Sequence, residues 1–376
     1  MAFGQAPKGY YTTLPVTVSK SPQGGSNGPN TINPLPLWNY SVTAYNAQTY
    51  TGTIVGRSPF NRGKTTTTIP TQIVPLIITI NDGTTTVTYD PTAVDPCVTT
   101  GTHTDVDVIT GSPIFTNNSW TMDGQGVGTT QYIDAFQRTE FWSLVAGTPY
   151  HLVLNQSTLP SQALAVNSSQ GTNYDAATFV VGGCGKIGVV DLGTFDSAVQ
   201  SIITGSLAGT INIGTFPIFL TRNVVLAENS HSIFVNCCVL GYHSGMTVGP
   251  NLQIYSPFSL NTNGVFGGDV STLSHEMGEA IDDPKTNNPT PVWGRQGQQF
   301  GCQNNFEVGD PLSPGGIAPT SNEFVTVGAN GLTYHLQELA DFSWFFGGTN
   351  LGISGHYSNN GTFTGFAKAC PPGGTN

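Results

Sequence analysis

The strongest constraint on the fold is a long β-type run over residues 66–80 that ends in a tight-turn signal. Asn, Asp and Gly occupy positions 81–83, and an alternating segment follows over residues 84–89. Asn and Gly tolerate the positive φ of a tight turn, so this pattern predicts a β-hairpin. Pro70 and Pro75 lack the N–H of a strand ladder, so we expect them to break the run or to place it at a sheet edge.

The composition is typical of a β-rich extracellular protein. Only 9% of the 376 residues are charged, against roughly 25% in an average soluble domain. Thr favours strands, whereas Asn and Gly favour turns. The 38% hydrophobic content is enough for a packed core. We therefore expect a β-rich α+β fold, in which an N-terminal antiparallel β region packs on a mixed region of sheet and helix.

Three regions follow from the patterning. Residues 1–34 are rich in Gly, Pro, Asn and Ser and indicate a flexible or extended arm. A composition shift near residue 120 separates a β-rich region, 35–120, from a mixed α/β region with the candidate metal site, 121–376. In that last region, helical periodicity is found in residues 129–144 and after Thr194. Strands are predicted over residues 151–154, 186–190, 216–220 and 232–242, and a strand or helix over 334–346.

The net charge of -11, with only 11 Lys and Arg residues, argues against a polyanionic partner. We therefore expect no nucleic acid partner. No apolar run approaches the roughly 20 residues that span a bilayer, so membrane insertion is not expected. Residues 1–11 lack the charged and apolar segments of a signal peptide. We interpret them as a mature N-terminus and expect a secreted protein.

Six cysteines without a CxxC pattern favour disulfides over a thiolate metal site. The alternative is buried free thiols. Six cysteines allow 15 pairings, and the sequence does not choose among them. Side chains alternate along a strand, so the adjacent Cys237 and Cys238 are expected to face opposite sides and to have different partners.

The segment 269–283 is predicted to be an amphipathic helix. Asp269 is a suitable N-cap, and Pro284 ends the helix. One face of this helix is apolar and faces the core; it consists of Leu273, Met277, Ala280 and Ile281. The sequence His-Glu-Met-Gly-Glu occupies positions 275–279 on the same helix.

His275 and Glu279 are four residues apart, so both side chains reach one point in space. In HExxH metallopeptidases the two residues at this spacing bind zinc, and the intervening Glu holds the attacking water. Here Glu276 takes that intermediate position, and the second ligand is a carboxylate. We therefore predict a zinc site, or a site for another divalent cation, on this helix. The alternative is an exposed acidic helix face without metal.

A third ligand must come from elsewhere, because a zinc hydrolase needs three protein ligands and one open position. Glu307 and Asp310, roughly 30 residues downstream, are the best candidates. Asp283 is suitable only if the chain bends before Pro284. His243, after a buried strand, is a further candidate, either as a ligand or as a donor that stabilises the transition state.

The sequence SHEMGEAIDDP at residues 274–284 and the later CQNNFEVGDP at residues 302–311 resemble motifs of secreted bacterial proteins of the HExxE type. Those proteins are regarded as zincin-like metallopeptidases, and the chain also distantly resembles the plant phosphate-induced (Exordium-like) proteins. The resemblance implies ligand roles for His275 and Glu279, a base role for Glu276, and a site role for Glu307 or Asp310. A carboxylate replaces the second histidine of the established zinc peptidases.

These observations lead to two functional hypotheses. The first is a secreted zinc metallopeptidase-like hydrolase, in which Glu276 activates a metal-bound water that attacks a polypeptide substrate. The second is a non-catalytic extracellular β-rich protein with at most a structural metal, which binds glycans or self-associates through strand edges near residues 65–80. His335 and Glu338 are weaker candidates for residues that orient a metal ligand.

Overall fold

The computed structural model describes residues 10–15, 17–18, 32–61, 65–98, 102–267, 269–294, 302–313 and 323–367. It is a β-rich α+β fold, as predicted, with a mixed sheet and few helices. None of the helices in these ranges has the length and apolar character that crossing a membrane requires.

The strands of the described residues are β1 (Tyr10–Thr13), β2 (Thr17–Val18), β3 (Leu37–Thr43), β4 (Thr49–Val55), β5 (Thr66–Asn81), β6 (Thr86–Tyr89), β7 (Asn118–Met122), β8 (Gln125–Thr130), β9 (His151–Thr158), β10 (Gln162–Val166), β11 (Gly171–Asp175), β12 (Lys186–Asp191), β13 (Phe216–Arg222), β14 (Val224–Ala227), β15 (Cys237–Val248), β16 (Asn251–Leu260), β17 (Pro289–Trp293), β18 (Gln303–Asn305), β19 (Glu323–Val327) and β20 (Thr333–Gln337). The helices are α1 (Asp105–Thr110), α2 (Tyr132–Glu140), α3 (Trp142–Val145), α4 (Leu192–Thr204), α5 (Ser271–Asp282) and α6 (Phe342–Phe346).

One 12-stranded sheet organises the molecule, with the central order β10-β5-β13-β16-β15-β14-β12-β11. Strand β15 pairs antiparallel with β16, and the arm strand β1 runs parallel beside it. The sheet joins strands from both sides of residue 120. Helix α5 contributes to one hydrophobic core and helix α4 to another. Strand β15 therefore lies between two buried layers, which confirms a buried strand here; the predicted bounds, 232–242, were too early, because the strand begins at Cys237 and ends at Val248.

Strand β5 corrects the expectation about its prolines, because the strand is neither broken nor at an edge. It is continuous over 16 residues. It pairs with β9 up to Ile73, with β13 from Thr71 to Pro75, and with β10 from Leu76. Pro70 precedes the β13 pairing, and Pro75 lies between the β9 and β10 pairings. Each proline therefore has a partner strand on one side only. On its other side there is no ladder hydrogen bond for the missing N–H to interrupt.

Several local predictions are confirmed by the element bounds. The turn at residues 81–83 leads into β6, which pairs antiparallel with β5. The helix predicted over residues 129–144 is present as two helices, α2 and α3, which are separated at Phe141 and follow the end of β8; the segment after Thr194 lies in α4. Residues 334–346 contain the end of β20 and then α6, so both of the alternatives considered for that segment are present in turn.

Asp269 does not cap helix α5, contrary to the prediction. The N-cap is Val270, without a side-chain cap bond. Asp269 has a positive φ of 62°, and its carboxylate instead accepts hydrogen bonds from the backbone N–H and the Nδ1 of His335. The nonlocal partner on β20 therefore prevails over the local capping preference.

The disulfide prediction is confirmed for Cys97 and Cys184, which are bonded to each other. The expectation for the adjacent pair was wrong, because Cys237 and Cys238 are bonded to each other, with their Cα atoms 3.0 Å apart. Alternation of side chains describes the interior of a regular strand. This pair begins β15, where the pairing with β14 shifts register. Cys370 lies outside the described residues.

Candidate metal centre

Helix α5 carries three of the predicted site residues and is buried along its length. It contacts β15 and β16 of the large sheet, together with β4, β20 and α2. Every residue from Thr272 to Asp282 is buried. The alternative of an exposed acidic helix face therefore does not apply, and the polar side chains of α5 need partners inside the protein.

One turn of α5 brings His275 and Glu279 together, as their spacing predicts. The His275 Nε2 lies 3.1 Å from the Glu279 Oε1 and 3.8 Å from the Asp310 Oδ1. The backbone N–H groups of Gly309 and Asp310 each donate to the Glu279 Oε1 at 3.2 Å. One imidazole and two carboxylates thus lie close enough to hold one metal ion.

Gln337, on β20, orients the imidazole of His275. Its Nε2 donates to the Gly309 carbonyl at 2.5 Å, so its Oε1 faces His275 and accepts from Nδ1 at 3.1 Å. The protonated nitrogen is then Nδ1, and Nε2 is directed toward Glu279 and Asp310. A polar partner on the remote nitrogen is the usual way in which a metal-binding histidine is oriented.

His243, on β15, lies beside the same helix and meets three glutamates. Its Nδ1 is 3.4 Å from the Glu276 Oε2 and 3.6 Å from the Glu279 Oε2. Its Nε2 is 3.8 Å from the Glu307 Oε2. His243, Glu279 and Glu307 form a second group whose ligand atoms could hold a metal ion. The two groups share Glu279.

Burial and charge set the protonation states of this cluster. Burial lowers the pKa of His243 to about 4, so its imidazole is neutral near pH 7, as a metal ligand must be. Burial opposes ionisation of Glu279, but His275 and His243 lower its pKa to about 2. Burial and then the charge of Glu279 raise the pKa values of Glu276 and Glu307. Glu276 and Glu307 therefore resist ionisation unless positive charge is brought to the site.

Three buried polar atoms of the cluster have no hydrogen-bond partner among the described residues: the His243 Nε2, the Glu276 Oε1 and the Glu307 Oε2. These side chains are at most 1% exposed. An unpartnered polar atom inside a protein costs roughly 1–3 kcal/mol, and more when it is charged. Donors and acceptors of this chemistry, gathered around Glu279, fit a divalent cation.

Two glycines permit the close approach of these side chains. A Cβ at position 309 would overlap the imidazole of His275, and a Cβ at position 241 would lie 2.9 Å from the Glu276 Cγ. Gly309 is the glycine of the predicted Glu-x-Gly-Asp segment. Neither the two glycines nor Gln337 could be singled out from the sequence, because the side chain that each one accommodates or orients is more than 30 residues away.

The remaining candidates contribute no ligand atom to either group. The carboxylate of Asp283 accepts hydrogen bonds from the backbone N–H groups of Asn287 and Asn288, each at 3.0 Å. Glu338 accepts hydrogen bonds from Ser358 and Thr362. Asp283 therefore shapes the turn after α5. The hydrogen bonds of His335, to Asp269, and of Glu338, to Ser358 and Thr362, do not involve a residue of either ligand group.

Comparison with known proteins adds no further constraint: the chain matches no protein family, no curated protein and no solved structure. The site must therefore be interpreted from its own residues.

Proposed function

We propose that this chain is a secreted metal-dependent hydrolase that acts on polypeptides and uses zinc or another divalent cation. The observation that carries the proposal is Glu276. Its carboxylate is fully buried and touches His243, yet it belongs to neither ligand group. A purely structural metal site needs no such additional carboxylate, and the Glu276 Oε1 has no hydrogen-bond partner among the described residues. A perturbed acidic group beside a metal site is a candidate for catalysis.

His275, Glu279 and Asp310 are the residues that would hold the cation. Two oxygens and one imidazole nitrogen are suitable ligands for zinc and also for the harder Mn²⁺. A cation held there supplies Lewis acidity, which acidifies water and polarises a carbonyl group. Gln337 fixes the tautomer of His275, and the N–H groups of Gly309 and Asp310 fix Glu279.

Glu276 accepts and returns the proton in this proposal. Burial, followed by the charge of Glu279, raises the pKa of Glu276 well above its ordinary value, which makes this carboxylate a stronger base than an exposed glutamate. A general base is most effective when its pKa lies near the working pH. His243, 3.4 Å from the Glu276 Oε2, positions that carboxylate.

The test is Glu276→Gln in the full-length protein, with an unfolded protein such as casein as substrate. We expect the variant to retain its metal and to lose hydrolysis by about 10²–10⁴-fold, the usual contribution of a general base. Glu140→Gln is the matched control, since Glu140 is an equally buried carboxylate outside both ligand groups, and it should keep wild-type activity. Wild-type activity in Glu276→Gln would refute the proposal.

A structural metal is the second candidate, and the burial of the site favours it. The residues of the centre are each at most 5% exposed: His243, His275, Glu276, Glu279, Glu307 and Asp310. Under this alternative, wild-type protein with its full metal content hydrolyses nothing, and removal of the metal changes stability only.

A further inference from the structure

We infer that the centre holds two cations, the second bound by His243, Glu279 and Glu307, with Glu279 bridging both positions. This inference deepens the proposed function and shares with it the first cation position, that of His275, Glu279 and Asp310. It adds a second metal site, which the proposed function with its single cation does not include.

The two oxygens of Glu279 face different histidines. Oε1 is 3.1 Å from the His275 Nε2, and Oε2 is 3.6 Å from the His243 Nδ1, on the ring whose Nε2 faces Glu307. A carboxylate used in this way connects neighbouring ions, and paired catalytic metals usually lie about 3.5–4 Å apart. Each group by itself has its ligand atoms within 4.8 Å of one another.

An independent observation concerns the side chains that the first position leaves unused. The His243 Nε2 and the Glu307 Oε2 lie 3.8 Å apart, each on a side chain that is 1% exposed. Neither atom has a hydrogen-bond partner among the described residues. Ligand atoms at roughly 2.0–2.2 Å from one zinc ion are themselves about 3–4 Å apart. The observed gap therefore fits an ion between them better than a direct hydrogen bond.

Charge balance favours the same arrangement. When ionised, Glu276, Glu279 and Glu307 place three negative charges in a buried volume, and their ion-pair partners within the described part of the chain are histidines. With Asp310, a ligand of the first position, the ionised cluster carries four carboxylate charges, which two divalent cations offset and one does not. Uncompensated buried charge is strongly unfavourable. One imidazole and two carboxylates in each position indicate Zn²⁺ or Mn²⁺ rather than a soft, thiolate-seeking ion.

The experiment measures metal stoichiometry. Purified full-length protein is stripped with chelator, reloaded with Zn²⁺ or Mn²⁺, and analysed by elemental analysis and titration calorimetry. We expect two ions per chain in the wild type, one in His243→Ala and in Glu307→Gln, and fewer than one in Glu279→Gln. His335→Ala removes a histidine outside the cluster and should keep two ions. In the Mn²⁺-loaded wild type, electron paramagnetic resonance should show exchange coupling, which His243→Ala abolishes.

One ion per chain in the wild type would overturn the inference, as would two ions that persist in both His243→Ala and Glu307→Gln. His243→Gln, checked by circular dichroism, replaces the alanine variant if the latter does not fold. The outcome is separate from that of the proposed function. Two bound ions without hydrolysis would refute the proposed hydrolase and support the two-cation site. Glu276-dependent hydrolysis with one bound ion would support the hydrolase and refute the two-cation site.

Discussion

Helix α5 contributes residues to two buried acidic clusters, whose negative charge is neutralised in different ways. The first, the candidate metal centre, consists of His243, His275, Glu276, Glu279, Glu307 and Asp310. The second, which we call the acid cluster, consists of Glu140, Asp282 and Asp341, all of them fully buried. The metal centre contains two imidazoles, whereas the acid cluster contains none. The groupings able to hold a metal ion among the described residues include no member of the acid cluster.

Amide and backbone donors connect the acid cluster in place of imidazoles. The Gln137 Nε2 donates to the Asp282 Oδ1 at 2.7 Å and to the Glu140 Oε2 at 3.2 Å. The backbone N–H of Phe342 donates to the Glu140 Oε1 at 2.8 Å. Burial, then neighbouring carboxylates, raise the pKa values of Glu140 and Asp341. In the acid cluster, which contains only carboxylates and amides, bound protons neutralise the charge. In the candidate metal centre, where imidazole nitrogens are also present, a metal cation can neutralise it.

Removal of the cation is expected to have the largest effect on stability. A ligand present at a thousandfold its Kd stabilises the folded state by about 4 kcal/mol. Chelation should lower the free energy of unfolding by that order, measured by urea denaturation with and without EDTA. The double variant Glu140→Gln/Asp341→Asn should keep the whole chelator-sensitive increment. Loss of the increment in this variant would mean that the acid cluster, too, depends on the metal.

The second largest effect is expected from substitution of Gly309, compared with the same substitution of Gly352. Gly309→Ala forces the imidazole of His275 to shift, because a Cβ there overlaps the ring. We expect metal affinity to fall about 100-fold, the upper range for disturbed ligand orientation, measured by calorimetric titration. Gly352→Ala places a Cβ against the Asp341 carboxylate, so it should lower stability and leave metal affinity unchanged. Equal metal affinities in both variants would contradict the separation of the clusters.

A smaller difference in metal affinity is expected between variants of two glutamines, one beside each cluster. Gln337→Leu removes the acceptor for the His275 Nδ1, so metal affinity should fall about tenfold. Gln137→Leu removes the amide between Glu140 and Asp282; it should lower the melting temperature without changing metal affinity. Calorimetric titration and thermal unfolding of both variants test the pair. A Gln337→Leu variant with wild-type affinity would show that His275 needs no orienting partner.

The smallest expected effect concerns pH. Glu140 and Asp341 have pKa values raised above those of the unfolded chain. Their contribution to stability is therefore fully present below the unfolded pKa, near 4, and is lost as the pH rises through the folded pKa. Between pH 4 and pH 8 the wild type should therefore lose more stability than Glu140→Gln/Asp341→Asn. Denaturation of both proteins at matched metal concentration measures the difference, and parallel pH profiles would argue against neutral acids in this cluster.

The sequence alone determined the features that depend on local geometry. A helix rises 1.5 Å and turns about 100° per residue, so the spacing of His275 and Glu279 predicts their meeting in any fold. The turn at residues 81–83 and the strands on either side of it follow in the same way from backbone preferences. Composition was enough to predict a β-rich chain with disulfides, as the Cys97–Cys184 bond confirms.

Only the tertiary structure decided which distant residues complete the site. His243, Glu307 and Gln337 reach helix α5 from a sheet strand, a loop and a hairpin, each separated from it in sequence by roughly 30–60 residues. Their positions depend on sheet register and packing, which no short sequence window contains. For the same reason, Asp269 binds His335 instead of capping its helix. Covalent geometry fixes neighbours along the chain, whereas the packing of the whole fold selects partners across it.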